Sequence, residues 1–239
     1  MLKGFLTTCS DCNIDGNNDL SYIPENILEE ISTKSIHNKY KKGNVIFYEG
    51  NIPYGVYFII KGKIKLFNTS EEGKEYIIKI AKEGDILGYK AFLNNGEFSA
   101  SAEALEESHI RFIDKNDFMN ILNKYPNFAM ILLEIMAREI KCYREAVNSL
   151  AYKTSHERII DLLINLKKTF GVLEKNGYYR IDVQLSREEI SNMIGSTLET
   201  GVRLLSWLKE KNVIETNNKY IYIKDLKSLI DISSYSNSV

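Results

Sequence analysis

The chain has 239 residues, of which 44% are hydrophobic and 26% are charged, and its formal net charge is −1. This composition is typical of a globular protein with one large domain or two modest ones. No apolar run approaches the roughly 18 residues of a transmembrane helix, and the amino terminus lacks the features of a secretory signal. Three cysteines are too few for a disulfide framework, so we expect a cytoplasmic protein.

The charges are distributed unevenly along the chain. Residues 153–239 contain 13 Lys and Arg against 11 Asp and Glu, whereas residues 1–152 contain 18 against 21. The excess of positive charge in the carboxy-terminal part is expected if this part contacts nucleic acid. Because the difference is small, it supports such contact only if the basic groups share one face.

The first half of the chain alternates between helical and strand patterns. Residues 1–20 are polar and predict a poorly ordered tail. Apolar residues at helical spacing between Ser21 and Ile36 predict one short helix. From Lys39 to Ile113, short apolar runs separated by glycine-containing turns predict an all-β barrel, sandwich or jelly roll. The predicted strands are Val45–Tyr48, Val56–Ile60, Ile64–Phe67, Tyr76–Ala81 and His109–Ile113.

A heptad repeat follows Pro126, which suits the first turn of a helix. Apolar residues then recur at alternating spacings of four and three over three repeats, the pattern of a coiled-coil seam. A helix packed on its own domain is the alternative, but the regularity of the seam favours a homodimer. The predicted seam consists of Ala129, Leu133, Met136, Ile140, Tyr143, Val147 and Leu150.

Two helices in close succession are predicted near residue 190. Ser186 and Glu189 form a capping box that opens a helix over Arg187–Ile194, which Gly195 ends. A third helix is predicted from about Thr197 to residue 211, followed by a β-hairpin with its turn at residues 217–218. This order is typical of a winged helix-turn-helix, whose second helix enters the DNA major groove.

The first turns of the predicted recognition helix offer groups that read bases. We expect Thr197, Glu199, Thr200 and Arg203 to face the groove. Arginine can pair bidentately with guanine, and glutamate can accept a hydrogen bond from cytosine N4. Glu199 and Arg203 are four residues apart and can brace each other. A surface ion pair on an ordinary helix is the alternative.

Over nearly its whole length the chain resembles the Crp/Fnr superfamily of bacterial transcription regulators. The resemblance rests on KKGNVIFYEG, YFIIKGKIKL, EGDILGYKAFL, SAEALEESHIRFI, SHERIIDLLINL and SREEISNMIGSTLETGVRLL. It implies an α+β homodimer that binds near-palindromic double-stranded DNA and RNA polymerase. The implied order is a tail (1–20), a cyclic-nucleotide-binding-like β-roll (21–125), a dimerisation helix (126–152) and a winged helix-turn-helix (153–239).

The resemblance also implies roles for single residues. Glu199 and Arg203 match the family's base readers, Thr200 matches a phosphate contact, and Ser186 and Arg187 open the same DNA-binding motif. There is one departure, because Gly201 stands where the family usually has an apolar residue and Val202 where it usually has Gly or Ser. A glycine within a helix costs about 1 kcal/mol relative to alanine. The departure bears on the base preference and leaves the fold unaffected.

The family's cyclic-AMP-binding members hold the nucleotide with a Gly-Glu pair and an Arg-Ser pair. The matching residues here are Gly88-Tyr89 and Phe98-Ser99. Because Phe98 replaces the arginine, an anionic ligand would lack its charge-assisted partner, so we expect no response to cyclic AMP. Tyr89 and Phe98 suit an aromatic or apolar effector. The equally weighted alternative is that they only pack the interior of the roll.

Oxygen-sensing members of the family carry an amino-terminal cysteine cluster. An iron–sulfur cluster normally requires four thiolates, but this chain has only Cys9, Cys12 and Cys142, and Arg111 stands where those relatives have their fourth ligand. We therefore expect no iron–sulfur cluster, and the three dispersed histidines predict no other metal site. A reversible thiol–disulfide switch between Cys9 and Cys12 and an unmodified tail both remain open.

The sequence contains no catalytic motif. A nucleophile elbow, a phosphate-cradling loop and paired catalytic carboxylates are all missing, so we expect no enzymatic activity and name no catalytic residue. The alternatives to a DNA-binding regulator are a redox-active CxxC protein and a sensor or scaffold module that binds no nucleic acid.

Overall fold

The computed structural model describes residues 18–73 and 75–235, with side chains to residue 232. These residues form two compact units. Residues 18–73, 75 and 79–140 make up the amino-terminal unit, and residues 76–78 and 141–235 make up the carboxy-terminal unit.

Eight strands build the roll. They are β1 (Ile36–Tyr40), β2 (Val45–Phe47), β3 (Gly55–Lys61), β4 (Lys63–Thr69), β5 (Glu75–Lys82), β6 (Ile86–Leu87), β7 (Ser101–Ala104) and β8 (Ser108–Asp114). All of their residues belong to the amino-terminal unit except residues 76–78 of β5. One sheet has the strand order β1-β8-β3-β6 and the other has the order β2-β7-β4-β5. The chain therefore passes repeatedly from one sheet to the other, as in a jelly roll.

Two apolar clusters stabilise this unit. The first lies inside the roll and contains Phe47, Ile59, Ile64, Ala81, Leu87, Ala91, Phe98, Ala102, Ala104 and Ile110. The second packs strands β3, β6 and β8 against α1 (Glu25–Lys34), α2 (Tyr89–Leu93), α3 (Lys115–Lys124) and the first turns of α4 (Pro126–Tyr152). Its fully buried side chains include Ile27, Phe58 and Phe118, and each such side chain contributes about 1.5–3 kcal/mol through burial.

The carboxy-terminal unit combines helices with a small sheet. Its helices are α5 (Ser155–Phe170), α6 (Arg187–Met193), α7 (Leu198–Glu210) and α8 (Leu226–Tyr235). Its strands are β9 (Gly171–Leu173), β10 (Tyr179–Ile181), β11 (Ile214–Asn217) and β12 (Tyr220–Ile223), in the order β11-β12-β10-β9. Within the described ranges, no helix has the length and apolar composition needed to cross a membrane.

The predicted fold class is confirmed, with a double-sheet roll, a long helix and a winged helix-turn-helix. The predicted helix between residues 21 and 36 is shorter, because Pro24 separates a 3-10 helix (Asp19–Tyr22) from α1. The sequence pattern does not predict four of the strands, β1, β6, β7 and β9. In β1 three polar residues separate Ile36 from Tyr40, β7 consists mainly of small residues, and β6 and β9 have only two and three residues, so none contains an apolar run of the usual strand length.

Candidate nucleic-acid interface and sensor region

Side-chain caps fix the start of α6 and of α7. The Ser186 hydroxyl accepts a hydrogen bond from the Glu189 N–H at 3.1 Å, and the Glu189 carboxylate accepts from the Ser186 N–H at 2.6 Å. Gly195, with φ +60°, makes the turn between the helices, a conformation that residues with a β-carbon rarely adopt. The Thr197 hydroxyl then accepts from the N–H of half-buried Thr200 at 3.2 Å. The caps and the turn together fix where α7 begins.

One face of α7 is exposed. At the start of the helix its exposed residues are Thr197, Leu198, Glu199, Val202 and Arg203. Within the described part of the chain, no hydrogen bond or ion pair engages Glu199 or Arg203, so the predicted brace between them is not formed. Leu198 and Val202 are 46% and 41% exposed beside them. The face therefore presents an anion, a cation and two apolar side chains to solvent.

Gly201 lies on the opposite, buried face of α7, where that helix crosses α6. A β-carbon at this position would lie 1.9 Å from the Ser191 Oγ and 2.8 Å from the Ser191 Cβ. Ser191 is buried, and its hydroxyl donates to the Arg187 carbonyl at 2.7 Å. From the sequence alone, Gly201 is only an energetic cost to the helix. The structure shows that the glycine allows the two helices to approach closely.

Two arginines position this motif from outside α7. Arg158 on α5 donates from Nε to the carbonyl of Ile194 in the turn at 2.8 Å, a contact that sequence reasoning missed because it joins residues 36 apart. Arg187, a predicted DNA contact, is half-buried and donates to Thr216 Oγ1 on β11 at 3.2 Å. In this structure Arg187 therefore joins α6 to the wing.

The wing is the hairpin formed by β11 and β12. Asn217 pairs with Tyr220, and the two residues between them, Asn218 and Lys219, have φ values of 46° and 68°. Positive φ at both central positions is typical of a tight hairpin turn whose twist matches the strands. The turn lies one residue later than predicted, and it leaves Lys219 exposed at the tip.

The predicted heptad seam lies on an exposed face of α4. Leu133 and Ile140 are each 56% exposed, Val147 is 47% exposed and Tyr143 is 37% exposed. The remaining seam residues, Ala129, Met136 and Leu150, are half-buried. Exposed apolar stripes of this kind are unfavourable in water and are typical of interaction surfaces.

In the roll, the Phe98 ring fills the space next to Gly88. A β-carbon on Gly88 would lie 3.1 Å from the Phe98 ring, which stacks on Phe47 with 4.0 Å between the ring centroids. Burial, with Tyr40 adding to it, raises the pKa of the nearby Tyr57 to about 12. The surroundings are thus apolar and aromatic, and none of these side chains supplies a positive charge for a phosphate.

The other two predicted pocket residues lie elsewhere. Ser99 is exposed, and its carbonyl accepts a hydrogen bond from Asn68 Nδ2 at 2.6 Å. Tyr89 is buried in the second apolar cluster, where its hydroxyl donates to Glu139 Oε2 on α4 at 3.2 Å. The structure therefore brings only two of the four predicted pocket residues together.

The predicted redox pair, Cys9 and Cys12, lies outside the described residues. Cys142 is buried on α4. Arg111 donates to the carbonyl of Ser32 at 2.8 Å, so a structural contact occupies the position where oxygen-sensing relatives have a ligand. Among the residues that the structure describes, no group of three or more His, Cys, Asp or Glu side chains is arranged to hold a metal ion.

Comparisons with known proteins match both units. Residues 37–125 match the family model of the cyclic nucleotide-binding domain, and residues 157–232 match that of the Crp-like helix-turn-helix domain. The fumarate and nitrate reduction regulatory protein of Yersinia pestis is 28% identical over 233 residues, which cover 96% of this chain and 92% of the relative. The anaerobic regulatory protein of Haemophilus influenzae is 29% identical over 228 residues, covering 94% and 87%.

Solved structures share the fold. A variant of CooA from Carboxydothermus hydrogenoformans has a TM-score of 0.70 and 24% identity, covering 91% of this chain and 96% of that one. CLP of Xanthomonas campestris, described as a c-di-GMP responsive global regulator, has a TM-score of 0.73 and 15% identity, covering 84% and 100%. At these identities, the similarity shows a common architecture.

Proposed function

Because the chain belongs to the Crp/Fnr superfamily of transcription regulators, we propose that it acts as a homodimer that binds a near-palindromic site on double-stranded DNA through α7. The observation that carries the proposal is the exposed face of α7. Glu199 and Arg203 stand one helical turn apart on that face, and within the described residues neither has a polar partner.

The exposed side chains on this face suit different parts of the DNA. Arg203 would donate to guanine O6 and N7, and Glu199 would accept from N4 of a cytosine. Leu198 and Val202 have no polar side-chain atoms, so they would select thymine through contact with its methyl group. Thr197 and Thr200, at the helix start, would lie near the phosphate backbone, where contacts fix the register of the protein on DNA.

The exposed seam supplies the second half of the proposal. A two-fold symmetric dimer through Leu133, Ile140 and Val147 would bury this stripe against its copy. Such a dimer carries two recognition helices, so the half-sites should be centred about one turn of DNA apart, roughly 10 bp. We expect this protein in the cytoplasm, where it would also contact RNA polymerase.

The signal is proposed to be a small molecule or a redox change other than cyclic AMP. Phe98 fills the space next to Gly88, and the aromatic side chains beside it, Phe47 and Tyr57, supply no cation for a cyclic phosphate. This supports an effector that is apolar or aromatic, or a signal received by the thiols of Cys9 and Cys12 in the tail.

Selection from random duplex DNA tests this function. The purified chain is expected to enrich a near-palindrome with half-sites centred roughly 10 bp apart, and sedimentation of the complex is expected to give two chains per duplex. If no sequence is enriched while the protein remains a dimer, it is a sensor or scaffold module instead.

A further inference from the structure

A cluster of charged side chains joins the roll to the dimerisation helix within the amino-terminal unit. Glu139 on α4 lies at its centre, with Lys79 Nζ 3.5 Å from one carboxylate oxygen and Lys90 Nζ 2.8 Å from the other. Lys79 also lies 3.7 Å from Asp85, in the turn before β6. The side chains of Lys79, Glu139 and Asp85 are only 29%, 20% and 10% exposed, so water screens these charges poorly.

The segment Asp19–Tyr22 docks on this cluster. The Asp19 carboxylate accepts a hydrogen bond from the Ile86 N–H at 3.3 Å, and Asp19 interacts electrostatically with Lys79. Three residues later, the Tyr22 ring lies 4.2 Å from the guanidinium carbon of Arg138. The segment therefore reaches consecutive residues of α4: Arg138 directly, and Glu139 through Lys79.

The charges in the cluster do not balance. Three carboxylates, from Asp19, Asp85 and Glu139, face two ammonium groups, from Lys79 and Lys90. Burial opposes the ionisation of Glu139, but Lys79 and Lys90 outweigh it and lower the pKa of Glu139 to about 2. The cluster therefore holds Glu139 ionised.

Asp19 has the opposite pKa shift to that of Glu139. Burial raises the pKa of Asp19 to about 6, with Asp85 and Glu139 adding to the effect, against Lys79 and the Ile86 N–H, which lower it. The hydroxyl of Tyr89 is the other titratable group that contacts Glu139. When the segment is not docked, Asp19 has the ordinary aspartate pKa of 3.8. Docking of the segment is therefore most favourable below pH 3.8. It weakens as pH rises through about 6.

We propose that Asp19 is a proton-operated latch that holds the segment Asp19–Tyr22 on α4 when it is protonated and releases the segment when it is ionised. The latch itself does not rest on the proposed DNA binding. If α4 forms the proposed dimer, the released segment would uncover Arg138 and Glu139 beside the seam residue Ile140, so the dimer would respond to pH.

Hydrogen exchange of the full chain tests the latch. The Leu20 N–H donates to the Gly84 carbonyl at 2.9 Å in the docked segment, so its exchange reports docking. After correction for the intrinsic pH dependence, its protection is expected to fall about tenfold between pH 5 and pH 7, as the pKa difference requires. Asp19→Asn keeps a hydrogen-bond acceptor without the charge, so its protection should change less than about twofold.

Two further variants separate the latch from a general effect of pH. Glu29→Gln, an exposed carboxylate on α1, should keep the wild-type profile. Glu139→Gln removes a carboxylate that raises the Asp19 pKa, so it should move the midpoint of the profile to lower pH. A pH-independent wild type, or a profile that Asp19→Asn leaves unchanged, overturns the proposal. Either result leaves the DNA-binding function untouched, and a protein that fails to bind DNA would still show the latch.

Discussion

Replacement of Gly201 by alanine tests how α6 and α7 are packed. In an open helix this change stabilises the protein, because alanine has a helix propensity about 1 kcal/mol better than glycine. Here the new methyl group would lie 1.9 Å from Ser191 Oγ and 2.8 Å from Ser191 Cβ. Helix propensity therefore predicts that Gly201→Ala raises the free energy of unfolding, whereas the contacts at the helix crossing predict that it lowers it.

The contacts decide which effect is larger. Relief of the 1.9 Å contact requires the Ser191 hydroxyl to rotate away from the Arg187 carbonyl, and the lost hydrogen bond costs about 1 kcal/mol. Rotation does not move the Ser191 Cβ, so α6 and α7 must separate, and overpacking of this kind costs about 1–3 kcal/mol. After the gain in helix propensity, we expect Gly201→Ala to lower the free energy of unfolding by about 1–3 kcal/mol.

Urea denaturation followed by Trp207 fluorescence measures this change in the unit that contains it. Trp207 is the only tryptophan, and it lies on α7 with its ring 4.9 Å from that of His156. Val202→Ala, on the exposed face of the same helix, is the control and should change stability by less than about 0.5 kcal/mol. In a Ser191→Gly background only the Cα remains close, at 3.2 Å, so Gly201→Ala should become neutral or stabilising. If Gly201→Ala stabilises the protein in the wild-type background, this account of the helix crossing is wrong.

Three further predictions concern the dimer and the signal. Ile140→Glu places a charge on the seam opposite its symmetry mate, so the protein should sediment as a monomer. Asn148→Glu, which lies off the seam, should remain a dimer. A dimeric Ile140→Glu protein would exclude the seam as the interface. Calorimetry should detect no binding of cyclic AMP, because Phe98 fills the space beside Gly88, and micromolar affinity would contradict this reading. Anaerobic reconstitution should leave the protein without an iron–sulfur cluster, since only three cysteines are present; about four iron atoms per chain that are lost in Cys12→Ser would show otherwise.

Local patterns predicted most of the fold. The capping box at Ser186, the turn at Gly195 and the heptad after Pro126 each depend on residues within a few positions of one another, and the structure contains all three. The spacing of the seam predicts only that its residues share one helix face, and the structure shows four of the seven exposed on that face.

Contacts between residues distant in sequence could not be predicted in the same way. The contact of Gly201 with Ser191 depends on the angle between two helices, which neither helix specifies by itself. Tyr89 was placed with Phe98 because they match one binding motif, yet the helix that begins at Tyr89 directs its side chain toward Glu139. Similarity of sequence indicated the position of each residue in the motif but not the direction of its side chain.

The DNA consensus selected by Arg203→Ala, compared with that of the wild type, tests the central claim most directly. If Arg203 reads guanine, the variant should relax one symmetric pair of positions, with a loss of about 1–3 kcal/mol of discrimination there, and keep the rest of the palindrome. Lys219→Ala, at the tip of the wing, should keep the full consensus while it weakens binding to all sequences and flattens the salt dependence. A consensus that Arg203→Ala leaves unchanged, or a wild-type consensus without symmetry, would contradict the assignment of α7 as the reading helix of a dimer.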